Sequence, residues 1–481
     1  MREIAGYLPG LRAEEVQWQT LLFTGAGQTL EVAAPILSDE QITALMARVR
    51  EASRSYLKSL SVARIVSIVD RAIARLLNSQ DPYRQKADAL LPLVTGYHPE
   101  MVRLGLTGYL KTFRKPQLQR FLVEDFGNAQ LLDEFQPRAK GGFSKAVGVD
   151  LAVHIWAGNV PALPLWSLVS GLLVKSGTIG KVASAEPLFA GWFAQLLVEV
   201  EPLLANCLAV VWWRGGDKAR ERLFFQHADL VLAYGGNAAL EQVRGRVPIT
   251  TQFLPYGHKL SLGMVSRAAL DARKALKTAQ QAAHDVMRYD QQGCYSPQVF
   301  YVERGGKITP EAFSGYLAHE LSCFEQKFPR HTLTLDEAAG LADWRQREEL
   351  KSFSQPGSGV TDDDAWTVVY NDTVQALAPS ALNRTIRVVA VDRLVQVIPL
   401  IAAHRAFLQT VGLAAAPQEL FELAAALGGA GVTRICAIGQ MTAPEAGWHH
   451  DGRFSLLDLT RIVDIEASAE AASETFAPYV D

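Results

Sequence analysis

Residues 150–182 read DLAVHIWAGNVPALPLWSLVSGLLVKSGTIGKV, and this stretch decides the fold. Asp150 to Trp156 is strand-like, Pro164 to Leu173 has helical spacing, and Gly177 to Val182 is strand-like again. The alternation continues downstream. Leu188 to Val200 is helical, Cys207 to Trp213 a strand and Lys218 to His227 helical. Leu230 to Tyr234 is a strand and Ala238 to Arg244 helical. Strands alternating with helices of this length predict a parallel sheet in an α/β domain. Leu151 to Val174 is uncharged apart from a neutral His154, which raises the question of a membrane span. Gly158, Asn159, Pro161 and Pro164 answer it, because backbone breaks and a polar amide inside hydrocarbon need local partners. The segment reads as buried strand, loop and helix.

Working outward, residues 16–35 predict a hairpin, with Leu21-Leu22-Phe23 and Leu30-Glu31-Val32 flanking the turn Gly25-Ala26-Gly27. Helical patterning runs from about Ser38 to Asn128, with Ile65, Ile68, Val69, Ile73, Leu76 and Leu77 on one face. A second α/β series begins near Leu260. Its later strands are Thr367–Tyr370, Ile386–Val391 and Arg434–Ile438, and Ser354 to Asp364 reads as a loop. The expected organisation is a helical region and cofactor-binding α/β domain over 1–258, a catalytic α/β domain over 259–435, and a tail over 436–481 serving as an oligomerisation element. The 481 residues are 49% apolar and 20% charged, which favours packed domains over disorder. A net charge of −3 with scattered basic residues gives no footprint for nucleic acid. The N-terminus carries no apolar core of signal-peptide length, and the widely spaced cysteines fit reduced thiols in a cytoplasmic protein better than a disulfide framework.

Four widely spaced cysteines form no CxxC pair and no metal pattern. Cys294 stands apart, in Asp290-Gln291-Gln292-Gly293-Cys294-Tyr295-Ser296-Pro297. Ala269, Ala272, Leu276, Ala279, Ala283 and Val286 predict a helix before it over 268–289, and Gln298–Val302 a strand after it. A thiol at a helix–loop–strand junction can meet a substrate, although free cysteines are also common packing residues. Cys207, Cys323 and Cys436 are read as packing residues. Lys181 ends a strand, where an amine can bond ribose hydroxyls or a phosphate. Tyr234-Gly235-Gly236-Asn237 joins a strand to a helix, where glycines let a phosphate reach backbone N–H groups or serve the turn alone. Asn159 follows an apolar strand, where its amide can donate to an oxyanion or close an Asx turn.

Asn159, Lys181, Gly236 and Cys294 are separated by 22, 55 and 58 residues. In this order and spacing the chain resembles the aldehyde dehydrogenase superfamily. Within it, the chain most resembles the acyl-CoA reductases of bacterial bioluminescence, the LuxC family. The resemblance rests on residues 154–161 (HIWAGNVP), 228–236 (ADLVLAYGG), 256–259 (YGHK), 290–294 (DQQGC) and 450–452 (HDG), within a span from about 20 to 465. It implies an aldehyde-dehydrogenase-like fold, with two α/β domains, parallel-rich sheets and a small oligomerisation element. It also implies Cys294 as nucleophile, Asn159 as oxyanion donor, and a nicotinamide cofactor held near Lys181, Ser184, Tyr234, Gly235 and Gly236. A homo-oligomer, possession of an acyl-transferring partner enzyme, and long-chain acyl-CoA or acyl-carrier-protein thioesters as substrates follow from the same resemblance.

Departures from the superfamily pattern refine this. Where oxidising members carry a glutamate that activates water, this chain has Pro255. Where NAD-preferring members often carry a glutamate three residues after the lysine, it has Ser184, which points to NADPH, with NADH the other option and Glu186 two residues further on. The glutamate that holds the nicotinamide ribose has no clear counterpart, and 381–385 is the candidate region. Asp290 is expected to bond local backbone, His154 to lie in the core, His258 to be structural, and His450-Asp451 to form a turn or subunit contact. The expected reaction is reduction of an acyl thioester to an aldehyde through acyl-Cys294. The alternatives are an oxidative aldehyde dehydrogenase and a cysteine acyl-transfer relay without reduction.

Overall fold

The structure, a computed structural model, describes residues 1–25 and 27–478. Ala26, inside the predicted hairpin turn, lies outside the described residues. Two compact units are present. Unit 1 comprises Met1–Thr95, Tyr109–Gly257 and the chain from Glu445 onward, and unit 2 comprises Gly96–Gly108 and His258–Pro444.

Unit 1 opens with β1 (Arg2–Ile4), β2 (Gln17–Gly25) and β3 (Gln28–Ile36), in the order β1-β3-β2. The predicted hairpin is β2–β3, paired antiparallel. Helices Asp39–Ser55, Val62–Leu77, Pro82–Thr95 and Lys115–Phe126 fill the predicted helical region. The first starts at Ser38, whose Oγ accepts from the Gln41 N–H while Gln41 Oε1 accepts from the Ser38 N–H, a reciprocal cap. Ile65, Ile68, Val69, Ile73 and Leu76 are buried as the spacing predicts. β4 (Gln136–Pro137) and β5 (Phe143–Gly148) follow.

The central sheet of unit 1 contains β6 (Leu151–Ile155), β7 (Gly177–Lys181), β8 (Leu208–Val211), β9 (Leu230–Tyr234) and β10 (Gln252–Tyr256). All its pairings are parallel and the order is β10-β9-β6-β7-β8. The chain first moves from β6 to β7 and β8. It then returns to the other side of β6 with β9. The topological switch point therefore lies between β6 and β9, where open α/β sheets bind ligands at the carboxyl edge. Leu151, Val153, Ile179, Ala209, Val211, Val231 and Ala233 bury one face against Ile42, Leu45, Val49 and Phe224.

Unit 2 holds a seven-stranded sheet. Its strands are β11 (Leu260–Val265), β12 (Pro297–Glu303), β13 (Gly359–Asp362), β14 (Thr367–Asn371), β15 (Thr385–Val391), β16 (Leu408–Ala414) and β17 (Arg434–Ala437). The order is β13-β14-β15-β12-β11-β16-β17, and only β13 is antiparallel to its neighbour. β13 falls within the segment read as a loop. Its Ser, Gly and Asp content hides an edge strand created by pairing with β14. The helix before Cys294 is also shorter than the spacing predicts, covering Ala275–Met287. Asp271 stops it earlier by accepting from the N–H groups of Arg273 and Lys274, so Leu276 lies exposed in the first turn. Finally β18 (Thr460–Ile465) pairs antiparallel with β5 of unit 1, giving the order β18-β5-β4.

Candidate functional site

Three of the predicted unit 1 features emerge at one edge of one sheet. Ile155 pairs with Lys181 and with Ala233, and Tyr234 pairs with Tyr256. The Asn159 loop, Lys181, the Tyr234-Gly235-Gly236 turn and Tyr256 therefore leave the carboxyl ends of adjacent strands. The Asn159 and Tyr234 loops flank the switch point. Asn159 is exposed. Gly158 before it has no room for a side chain, because a Cβ would meet Ala183 and Ala185 Cβ at 2.9 and 3.0 Å and the Glu186 N at 3.1 Å. That glycine lets the Asn159 loop lie against the 183–186 turn.

Lys181 is half-buried, and burial lowers the basicity of its amine while Glu221 acts in the opposite sense. Ser184 is exposed, and its Oγ accepts from Trp212 Nε1 at 3.1 Å. Glu186, the nearby carboxylate, is turned inward. Its Oε1 accepts from the Leu188 and Phe189 N–H groups at 2.9 Å each, capping the helix Phe189–Val200, and burial raises its pKa. Tyr234 stacks on Tyr256 with ring centres 5.0 Å apart, and Tyr256 stacks on His450 at 4.6 Å. His450 also packs against Trp448, and Asp451 adopts φ 55° in a turn. Pro255 sits in β10, an edge strand that tolerates the missing N–H. His154 is in the core, where burial pushes its pKa down to about 3.

In unit 2, Cys294 is half-buried between a 3-10 turn, Arg288–Gln291, and β12. Tyr289, Asp290 and Gln291 have φ of 47, 49 and 65°, three successive non-glycine residues in the left-handed region. Such conformations cost on the order of 1–3 kcal/mol each and persist only where surroundings enforce them. A second left-handed run supplies the enforcement: Leu382, Asn383 and Arg384, with φ of 55, 51 and 66°. The Asn383 N–H donates to Asp290 O at 2.9 Å, and Gln292 Nε2 donates to Asn383 Oδ1 at 3.2 Å. Gln291 donates to Pro297 O and Thr385 O and accepts from the Thr385 N–H. Tyr97 Oη donates to Tyr289 O.

Asp290 does not cap local backbone, contrary to expectation. Its carboxylate accepts from Arg384 Nε at 2.6 Å, from the His331 N–H at 3.1 Å and from His331 Nδ1 at 2.7 Å. Asp290 and Arg384 are both 0% exposed. Burial raises the Asp290 pKa, but the His331 bond and the Arg384 charge outweigh it and hold the carboxyl below its ordinary range. Arg384 also reaches Glu325 Oε2 and Phe328 O. The sequence hid this arrangement because the partners are remote from Asp290 along the chain. Residues 381–385 thus buttress the cysteine loop.

Cys294 itself is gripped twice. Ser261 Oγ donates to its carbonyl at 2.9 Å, and Gln409 Nε2 donates to its sulfur at 3.4 Å. Neither residue was singled out from the sequence. The signal that could have found Gln409 is a long polar side chain inside the strand-like run Leu408–Leu413, whose other residues are apolar or small. Gly293 leaves room for the Tyr295 ring, which a Cβ would meet at 2.4 Å. Of the other cysteines, Cys207 is buried, with its pKa pushed up to about 12. Cys323 is exposed on the helix Pro310–Lys327, beside His319 and not in the core, which corrects its reading as a packing residue. Its i,i+4 neighbour lies on the solvent face.

Among the described residues no helix is long and apolar enough to cross a membrane. Comparison with known proteins gives three findings. The sequence profile of a family described as acyl-CoA reductase (LuxC) matches residues 57–462. The chain is 28% identical over 377 residues to a long-chain acyl-protein thioester reductase of Aliivibrio fischeri, covering 77% of this chain and 75% of that one. It is 25% identical over 444 residues to its counterpart in Photobacterium phosphoreum, covering 91% and 86%. Among solved structures, it is similar to an indole-3-acetaldehyde dehydrogenase complexed with NAD+ (TM-score 0.73, 15% identity, 96% of each chain). It is also similar to the aldehyde dehydrogenase KauB from Pseudomonas aeruginosa (TM-score 0.73, 15% identity, 96% of each chain). The fold is that of the aldehyde dehydrogenases.

Proposed function

The chain belongs to the acyl-CoA reductase (LuxC) family, and from that premise we propose that it reduces a long-chain acyl thioester to the aldehyde, with NADPH as reductant and Cys294 as the acyl carrier. The observation that carries this reading is the Cys294 loop, a half-exposed thiol presented by strained backbone that a buried ion pair and two side-chain hydrogen bonds hold in place.

The Cys294 thiolate attacks the thioester carbonyl. A new C–S bond forms, the bond to the carrier sulfur breaks, and the carrier thiolate takes a proton from solvent. The family resemblance assigns Asn159 the role of oxyanion donor, an interaction whose loss typically costs about 3–4 kcal/mol. Collapse of the reduced thiohemiacetal releases the aldehyde and returns the electron pair to the Cys294 sulfur. When bound, the nicotinamide cofactor supplies the hydride that lowers the acyl carbon to the aldehyde level. Lys181, Ser184 and the Tyr234-Gly235-Gly236 turn would hold such a group, because they lie at or just beyond the carboxyl edge of one parallel sheet. Ser184 faces solvent there while Glu186 is withdrawn into a helix cap, so Ser184 would offer a 2′-phosphate a hydroxyl where a carboxylate would repel it. Pro255 supplies no base for water, which preserves the acyl group on Cys294 for reduction.

The test is a panel of acyl-CoA and acyl-carrier-protein thioesters, scored by NADPH consumption, aldehyde trapping and intact-mass detection of acyl-Cys294. Cys294→Ala should lose both the aldehyde and the label. Aldehyde production at the parent rate in that variant would sink the proposal.

A further inference from the structure

Gln409 lies in β16 with 0% exposure, between Leu408 and Thr410, both buried. A buried amide costs free energy unless hydrogen-bonded. Its Oε1 accepts from the Thr410 hydroxyl at 3.4 Å, which orients the amide and leaves Nε2 to face sulfur. Its backbone is fixed as well, since its carbonyl accepts from the Thr433 N–H at 3.0 Å.

The neighbouring strand is built around the same contact. The register of β11 shifts between Leu260 and Leu262 against β16, and between Ser261 and Gly263 against β12. Ser261 stands at this irregularity. Its Oγ accepts from the Thr410 N–H at 3.1 Å and donates to Cys294 O at 2.9 Å. Bulges of this kind re-aim side chains near active sites. One strand thus fixes the Cys294 backbone and the next presents an N–H to its sulfur.

We propose that Gln409 is a catalytic residue that stabilises the Cys294 thiolate, both before attack and when the thiohemiacetal C–S bond breaks. The inference rests on Cys294 being the nucleophile. A neutral thiol is a weak acceptor, whereas a thiolate takes a charge-assisted hydrogen bond. The amide N–H therefore favours the ionised form selectively. Ionisation sends the thiol proton to solvent. Collapse returns the C–S electron pair to sulfur and the hydroxyl proton of the intermediate to solvent. No oxidant or further reactant is required.

The experiment measures the pH dependence of Cys294 alkylation by iodoacetamide, read by peptide mass. Exposed Cys323 in the same sample is the internal reference. In the parent protein Cys294 should alkylate with a midpoint below that of Cys323. A Gln409→Leu change should raise the Cys294 midpoint by about one pH unit, slowing its alkylation about tenfold at pH 7 while Cys323 is unaffected. Gln409→Glu should raise it further, because a carboxylate then faces sulfur. An unshifted midpoint in either folded variant overturns the proposal. A parent midpoint at or above that of Cys323 overturns it even if neither variant folds. Acyl labelling of Cys294 by a thioester is read separately, so failure of the reductase reading is distinguished from failure of this one.

Discussion

Replacing Arg384 with methionine removes the guanidinium from three acceptors: Asp290 Oδ1, Glu325 Oε2 and Phe328 O. The cost is decided by which acceptors water can reach. The Glu325 side chain is 27% exposed and regains solvent, whereas the Asp290 side chain is 1% exposed and does not. Stranding one member of a buried pair typically costs about 3–5 kcal/mol. The lower end applies here, because the His331 N–H and Nδ1 remain on Asp290 Oδ2. Because Asp290 O also anchors Asn383, the loss concentrates on the two left-handed runs around Cys294. A two-unit chain need not unfold in one step, so a local probe is required. Hydrogen exchange of the 288–296 peptide should speed up about a hundredfold, equivalent to about 3 kcal/mol of opening free energy. Adding Asp290→Asn removes the stranded charge and should recover part of the protection. Exchange within a few-fold of the parent, or a double variant less protected than the single one, would refute the reasoning.

Ser184→Glu should reduce preference for NADPH over NADH by at least about tenfold, measured as the ratio of kcat/KM values, since a carboxylate then opposes the 2′-phosphate. An unchanged ratio would remove Ser184 from the cofactor site. Pro255→Glu should shorten the lifetime of acyl-Cys294 by roughly tenfold or more and release free acid, followed by intact mass in the absence of reductant. A label as long-lived as the parent's would count against Pro255 as the feature that spares the thioester. The cysteine loop should also respond to pH. Burial lowers the His331 pKa, but the Asp290 bond and the Asp290 and Glu337 charges outweigh it, leaving it raised above 6.5. Its contribution is then full below about pH 6.5 and is lost as pH rises through the folded value. Asp290, depressed, contributes above about pH 4 and is lost as pH falls through its lower folded value. Protection of the 288–296 peptide, corrected for intrinsic exchange, should fall on the alkaline side, and His331→Asn should flatten that limb. A persistent alkaline loss in His331→Asn would assign it elsewhere.

Local pattern made much of the fold legible. The parallel sheet follows from the βαβα run over 150–244, and the helix Val62–Leu77 follows from its apolar spacing. Both signals recur within a few residues, at the period of the element itself. Two expectations failed where a hydrogen bond that the apolar spacing does not encode intervened. The edge strand Gly359–Asp362 exists because β14 pairs with it, and the helix before Cys294 begins late because Asp271 takes the backbone donors.

The candidate site divides in the same way. Asn159, Lys181 and the Tyr234-Gly235-Gly236 turn stand out in sequence because each lies at or just after a strand end, and parallel strands deliver their carboxyl ends to one edge, whereas Cys294 stands out as a thiol between a helical segment and a strand. Which carboxylate faces solvent at the cofactor edge required the tertiary structure, which withdraws Glu186 and leaves Ser184 exposed. So did the support of the nucleophile. Arg384 and Gln409 lie 94 and 115 residues from the loop groups they contact. By itself the sequence determines the elements and the reactive groups at their ends. The tertiary structure decides which buried charge and which amide reach the thiol loop, because hydrogen bonds and ion pairs depend on distance through space and leave no period along the chain.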